Sequence, residues 1–217
     1  MLVSHTYKFI YIKTVKTAGS SVEVALQHNC VAPGTDLDKM TPQLESDYGI
    51  VGARGIGMDT ARWFNHMPAV KIRDQLPREI WDGYRKICNI RNPWDKTVSW
   101  FHFKNPHLKD TPKAEVIGEF RRWLSSAKTS AIGYDSNIYF IDGAPVADDF
   151  IRYENLQGDF DRICGELGVA SDMLPQLKTG LRGKEKVPYQ DYFDEDLQEK
   201  IRSTYEKEIA LFGWEFS

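Results

Sequence analysis

The sequence predicts an α/β fold: a three-layer α/β/α arrangement with a central parallel sheet, in a single domain spanning 1–217. Three observations predict it. Apolar runs rich in β-branched and aromatic residues, near 7–13, 84–90 and 149–153, alternate with helical patterns near 20–29, 68–79, 93–104, 113–127, 154–167 and 195–212. Such alternation implies parallel strands joined by crossover helices, so that helices cover both faces of the sheet. The first two strand runs each end abruptly in a short polar turn that opens a helix. Finally, 217 residues with 41% hydrophobic and 27% charged content can bury one sizeable core and leave little room for a second domain.

The first strand, Tyr7-Lys8-Phe9-Ile10-Tyr11-Ile12, has the composition of a buried strand. It breaks into Lys13-Thr14-Val15-Lys16-Thr17-Ala18-Gly19-Ser20-Ser21. A helix is predicted from Ser20, because Val22, Ala25 and Leu26 recur at helical spacing behind a pair of N-cap residue types. A tight turn of this kind aims backbone N–H groups and the positive end of the helix dipole at one point, where an anion is stabilised. Gly19 lets the backbone approach closely, Lys16 adds a full charge, and Thr17, Ser20 and Ser21 add donors. The order differs from the ATP-type P-loop, which places a glycine well ahead of a Gly-Lys-Ser/Thr ending; here the lysine precedes the glycine. Taken alone, the run is also compatible with an ordinary strand-to-helix connection.

Residues 30–65 hold Pro33-Gly34, Thr41-Pro42, Gly49, Gly55 and Gly57 with little periodicity, which predicts loops that shape a substrate site. Lys86-Ile87-Cys88-Asn89-Ile90 reads as the second buried strand, and Arg91-Asn92-Pro93-Trp94-Asp95-Lys96-Thr97-Val98-Ser99-Trp100 carries it into a helix. Asn92 suits the N-cap and Pro93 the first helical position, where a missing N–H costs nothing. Arg91 then stands at the carboxyl end of the strand and Ser99 about two turns along the helix. A guanidinium and a hydroxyl side by side can hold one phosphate; in isolation, Arg91 could equally pair with an acidic neighbour and Ser99 could be a surface serine. Arg152 and Glu154, on one face of the third strand, read as structural. The last helix shows Leu197, Ile201, Tyr205, Ile209 and Phe212 at helical spacing, closed by Gly213, and that stripe is core.

A formal net charge of −3 argues against a nucleic-acid binder that relies on a broad basic surface, although Arg121-Arg122 and the stretch 178–186 are local basic clusters. Cys30, Cys88 and Cys164 are too few and too widely spaced for a disulfide framework or a zinc site, and no metal-ligand spacing is found. No stretch approaches the roughly 20 apolar residues of a membrane span, and no signal-peptide pattern is present. These features predict a soluble intracellular protein without nucleic-acid partners.

The two strand-end segments together resemble the nucleotide-binding motifs of sulfotransferases that use 3′-phosphoadenosine 5′-phosphosulfate (PAPS). The carbohydrate sulfotransferases are the nearest in kind, with a first motif like Pro-Lys-Thr-Ala-Gly-Thr-Ser and a second like Arg-Asn-Pro-Trp/Tyr-Asp-Arg-x-x-Ser. This chain departs by Val15 for the proline, Ser20 for the threonine and Lys96 for the second arginine. Downstream, Asp149-Phe150-Ile151-Arg152-Tyr153-Glu154-Asn155-Leu156, the Lys178 to Lys184 stretch, Tyr189 to Tyr192 and Phe212-Gly213-Trp214-Glu215-Phe216 match in kind and in order, so the resemblance covers nearly the whole chain.

The resemblance implies a P-loop-like strand-loop-helix and transfer of a sulfuryl group from PAPS to an acceptor hydroxyl, releasing PAP without a metal. It implies that Lys16 stabilises the bridging oxygen and leaving group, while Thr17, Ala18, Gly19, Ser20 and Ser21 hold the 5′-phosphate. Arg91 and Ser99 would hold the 3′-phosphate. Lys178, Arg182, Gly183 and Lys184 would belong to a loop that closes over the nucleotide, a solvated charged loop being the other reading. Many relatives carry a Golgi membrane anchor, a feature this sequence does not show.

The acceptor hydroxyl needs a proton acceptor. His66, in His66-Met67-Pro68-Ala69, is similar to the His-x-x-Ala-like segment of relatives with a histidine base, and an imidazole with a pKa of about 6.5 suits the role. His102 and Glu23 are the alternatives. Trp63, Phe64, Trp100, Phe103 and Trp123 could stack on sugars, and a glycan acceptor is favoured by analogy alone, with a small molecule as the other class. Two rival functions remain: a catalytically inactive PAP- or glycan-binding module, and a P-loop nucleotide kinase, which lacks its Gly-x-x-x-x-Gly-Lys order here.

Overall fold

The structure is a computed structural model that describes residues 1–55, 57–175, 177 and 187–217. In chain order the strands and helices are β1 (Leu2–Ser4), β2 (Phe9–Ile12), α1 (Gly19–Leu26), β3 (Leu44–Ser46), β4 (Gly49–Val51), α2 (Ala69–Gln75), α3 (Arg78–Gly83) and β5 (Arg85–Ile90). They continue with α4 (Pro93–Lys104), α5 (Lys113–Ser126), β6 (Phe140–Ile141), β7 (Ala144–Pro145), β8 (Asp149–Arg152), α6 (Leu156–Leu167), α7 (Glu195–Thr204) and α8 (Glu206–Phe212). The chain divides into two compact units. One holds Met1–Ile90 and Asp135–Leu177; the other holds Arg91–Tyr134 and the described part of Lys178–Ser217.

The first unit is built on a mixed sheet of strand order β3-β4-β1-β2-β5-β8. The three strands read from sequence are its parallel part: β2 pairs β5 from Phe9↔Arg85 to Ile12↔Cys88, and β5 pairs β8 from Ile87↔Asp149 to Ile90↔Arg152. The antiparallel strands β1, β4 and β3 extend it beyond β2. The α/β class is therefore as the sequence predicts, with half of the sheet antiparallel. Two of the extra strands lie in the stretch expected to be loop; at three residues each, β3 and β4 are too short to show an alternation pattern.

Period-two alternation assigns the core. Leu2, Phe9, Tyr11, Val51, Ile87 and Ile151 pack with Val22 and Leu26 of α1 and with Phe160, Ile163 and Cys164 of α6. Their neighbours Ile10, Ile12, Cys88 and Ile90 are buried as well. Burial on both faces is why β2 reads as a continuous apolar run and β5 as an apolar one from Ile87 apart from Asn89. The predicted helix 68–79 is two helices, because Leu76 precedes Pro77 and adopts extended backbone (ψ 147°), and the α region is disfavoured before proline.

The second unit is helical. Asn92 caps α4 by accepting from the N–H groups of Trp94 and Asp95, with Pro93 in the first turn, as the sequence predicts. The buried face of α5 is Val116, Phe120 and Leu124, one residue per turn. Phe101, Phe120, Trp123, Tyr192 and Phe193 make an aromatic core of mostly edge-on rings. The predicted helix 195–212 breaks at Tyr205, whose ring lies edge-on to Tyr134, and α8 ends on Gly213 in the left-handed conformation (φ 65°). No helix among the described residues is long and apolar enough to cross a membrane. All three cysteines are buried thiols outside any disulfide.

Candidate functional site

The strand-to-helix turn after β2 carries an unusual concentration of backbone strain. Lys16 (φ 59°) and Ala18 (φ 61°) both occupy the left-handed region, which costs a residue with a Cβ about 1 kcal/mol or more. Ala18, not a serine, is the N-cap of α1, and it supplies no side-chain cap. Ser20 and Ser21 lie inside the first helical turn, where α1 has no acidic residue. The early N–H groups of a helix have no intrahelical partner, so this terminus is polarised for an anion and carries no anionic side chain of its own there.

Burial alternates along the turn. Thr17, Gly19 and Ser21 are buried, while Lys16, Ala18 and Ser20 are half-exposed. The Thr17 hydroxyl faces inward, 2.9 Å from the Thr14 hydroxyl, rather than outward as a donor. Gly19 is demanded by packing: a Cβ there would meet Lys13 Cγ at 2.9 Å and the Tyr11 hydroxyl at 3.0 Å.

Contacts distant in sequence hold this turn. The Thr14 hydroxyl donates to the Asn89 carbonyl at 2.5 Å, and Asn89 Nδ2 donates to the Thr17 carbonyl at 3.3 Å. The Tyr11 hydroxyl donates to Asn89 Oδ1 and lies 3.1 Å from the Gly19 carbonyl. The Val15 N–H donates to Asp135 Oδ2 at 2.7 Å. Sequence reasoning singled out none of Tyr11, Thr14, Asn89 and Asp135 for the site. The one available signal was an asparagine among the apolar residues that end β5.

His66 also touches this segment. Its Nδ1 lies 3.1 Å from the Lys13 carbonyl oxygen, an acceptor, so Nδ1 carries the proton and donates. Its backbone is left-handed (φ 58°). Burial, together with the nearby Lys13 ammonium, pushes the imidazole pKa down to about 3, so the ring is neutral with Nε2 as its basic nitrogen.

Beneath His66 lies a buried charge cluster. Glu23, on α1, pairs with Lys13 Nζ at 2.7 Å, the Met1 ammonium at 3.0 Å and Arg54 Nη1 at 3.6 Å. Burial alone would raise the Glu23 carboxyl, but these three cations outweigh it and bring its pKa down to about 2. A carboxylate held this firmly by cations is a poor proton acceptor.

In the second unit, Arg91 forms a two-pronged ion pair with Asp95, Nε and Nη2 reaching Oδ2 at 2.7 and 2.6 Å. Arg91, Asp95 and Ser99 fall at four-residue intervals, and α4 places Asp95 and half-exposed Ser99 one turn apart on one face. His102 is buried, with Nε2 2.9 Å from the Tyr192 hydroxyl and its ring edge-on to Phe101 and Tyr192, so its position is that of a core residue. Among the aromatics considered for sugar stacking, Trp63 is buried with its indole N–H donating to Glu45, Trp123 packs on Phe101 and Phe120, and Phe103 is exposed. Lys178, Arg182, Gly183 and Lys184 lie outside the described residues.

No family model matches the chain. An uncharacterized protein of Archaeoglobus fulgidus is 28% identical over 115 residues, which cover 52% of this chain and 92% of that protein. The crystal structure of a sulfotransferase from Alicyclobacillus acidocaldarius is similar with a TM-score of 0.40 and 14% identity, over 96% of each chain.

Proposed function

We propose that this chain is a PAPS-dependent sulfotransferase whose residues 1–217 act as one catalytic domain on an acceptor hydroxyl, that of a glycan in preference to a small molecule. The observation that carries the reading is the turn after β2. It is left-handed at Lys16 and Ala18, it opens α1 without a side-chain cap, and no carboxylate stands in the first helical turn. Strain of this kind persists where surrounding contacts impose it, and it clusters where a ligand is received. The sequence motifs, in their order, support PAPS as the donor.

In this reading Lys16 takes up negative charge on the oxygen that bridges sulfur and the 5′-phosphate. The backbone of Thr17, Ala18 and Gly19, with Ser20 and Ser21, holds the 5′-phosphate. Arg91 and Ser99 hold the 3′-phosphate, which shares the Arg91 guanidinium with Asp95. The motif resemblance assigns Lys178, Arg182, Gly183 and Lys184 to nucleotide binding, with the three cations offsetting phosphate charge. The acceptor oxygen bonds to sulfur as the bond from sulfur to the bridging oxygen breaks, PAP departs with that electron pair, and the acceptor proton passes to His66 Nε2. The Lys13 carbonyl fixes the tautomer this step needs. For His66 to accept that proton, the bound donor and acceptor must lift its pKa from the depressed value near 3.

The test is calorimetric titration of the protein with PAP, 5′-AMP and ATP with magnesium, followed by transfer of labelled sulfate from PAPS to an acceptor panel. Metal-independent selectivity for PAP is expected. Preference for ATP with magnesium would overturn the reading, and PAP binding without transfer to any acceptor would make the chain a binding module.

A further inference from the structure

We propose that Asn89 is a positioning residue for the phosphate-binding turn: from the carboxyl end of β5 its carboxamide orients the peptide groups that receive the donor's 5′-phosphate. The ligand assignment rests on the sulfotransferase reading; the geometry does not.

Asn89 is fully buried between Cys88 and Ile90 in a strand otherwise apolar over its last four residues. A buried primary amide is costly unless its donors and acceptor are used, and here the oxygen is used on β2 and the nitrogen on the turn that follows it. Tyr11 and Asn89 share a sheet face, because Tyr11 pairs with Ile87 and side chains alternate. Asn89 Oδ1 accepts from the Tyr11 hydroxyl and Nδ2 donates to the Thr17 carbonyl, while its own carbonyl accepts from the Thr14 hydroxyl.

The consequence follows from peptide geometry. In a planar trans peptide the C=O and the next N–H point in opposite directions. The Thr17 carbonyl is drawn toward Asn89, and the Gly19 carbonyl faces the Tyr11 hydroxyl. The N–H groups of Ala18 and Ser20 are thereby turned away from the buried strand, on either side of the left-handed Ala18. Asn89 holds the Thr17 carbonyl inward, and Tyr11, by donating to Oδ1, fixes the amide that does so; reversal of that carbonyl would aim oxygen lone pairs at an incoming phosphate.

Asn89→Leu removes both halves of the amide at similar size, and Tyr11→Phe removes the hydroxyl alone. Calorimetric affinities for PAP, 5′-AMP and 3′-AMP, with melting temperatures, are compared with those of the wild type. Asn89→Leu is expected to lose tenfold or more in affinity for PAP and 5′-AMP while 3′-AMP stays within twofold, and Tyr11→Phe to show a smaller loss with the same selectivity. Equal losses for all three nucleotides would make Asn89 merely structural and overturn the proposal. If Asn89→Leu does not fold, Tyr11→Phe decides: unchanged PAP and 5′-AMP affinity in that folded variant overturns it. Failure of the wild type to bind PAP overturns the functional reading and the ligand assignment with it.

Discussion

The two segments assigned to the donor's phosphates are built by opposite strategies. The turn at Lys16 is held from outside itself: Asp135, His66 and Asn89, all far away in sequence, bond to the backbone of Val15, Lys13 and Thr17, next to the left-handed Lys16 and Ala18. The segment at Arg91 takes its helical geometry from within, although Asn92 Nδ2 also donates to the Glu215 carbonyl and Trp94 Nε1 to the Gln198 carbonyl, each at 3.2 Å. Asn92 caps the helix two and three residues ahead of itself, Pro93 presets the first turn, and Arg91 is paired four residues on. Strain sustained by tertiary contacts suits a group that must meet charge developing at a reacting centre. Local order suits a group that anchors a substrate's remote end.

Replacing residues in each segment tests that contrast, and the largest effect is expected at His66. His66→Asn keeps a donor for the Lys13 carbonyl and a residue type that tolerates positive φ, yet deletes Nε2. Sulfate transfer should fall about 10²–10⁴-fold with PAP affinity unchanged; retained activity would remove His66 from the chemistry. Lys16→Ala should lower kcat by roughly 10²–10³-fold with a much smaller change in PAP affinity, and a near-normal rate would remove the lysine from catalysis. Arg91→Ala should do the reverse, weakening PAP and 3′-AMP by about 10- to 100-fold while 5′-AMP binding hardly changes. An equal loss for 5′-AMP would contradict the division of labour.

The smaller effects concern stability. The His66 pKa lies near 3 in the fold against 6.5 ordinarily, so the unfolded chain binds the extra proton first. The stabilisation is complete above pH 6.5 and is lost as pH falls toward 3, by about 2 kcal/mol at pH 5. Glu23, lowered from 4.5 to about 2, adds a further loss over that lower window. His66→Asn should therefore flatten the melting-temperature profile between pH 6.5 and 5, and an unchanged profile would refute the buried neutral imidazole. Asn92→Ala should cost about 2 kcal/mol, for the cap and for the bond of Nδ2 to the Glu215 carbonyl, and leave 5′-AMP binding intact; loss of 5′-AMP binding would show that this segment also shapes the turn at Lys16.

The sequence by itself determined whatever depends on neighbours a few residues away. The boundaries of α4, its Asn92 cap and Pro93, the buried strands β2, β5 and β8, and the break after Gly213 all follow from side-chain periodicity, proline and capping chemistry. The turn after β2 was legible from its residue types as a strand-to-helix connection of a kind that can receive an anion, and the pairing of Arg91 with an acid was one of the two readings its neighbourhood allowed. Tertiary structure decided what depends on register between distant strands. It placed Ala18 rather than a serine at the N-cap, turned the Thr17 hydroxyl inward, buried His102 against Tyr192, and surrounded Glu23 with cations. It set Asn89 against Tyr11 because the parallel pairing of β2 and β5 puts both on one face. The physical reason is the same throughout: a hydrogen bond within a turn of helix is encoded where it forms, whereas one between residues 72 positions apart, such as Asn89 with Thr17, exists only after the sheet has brought them together.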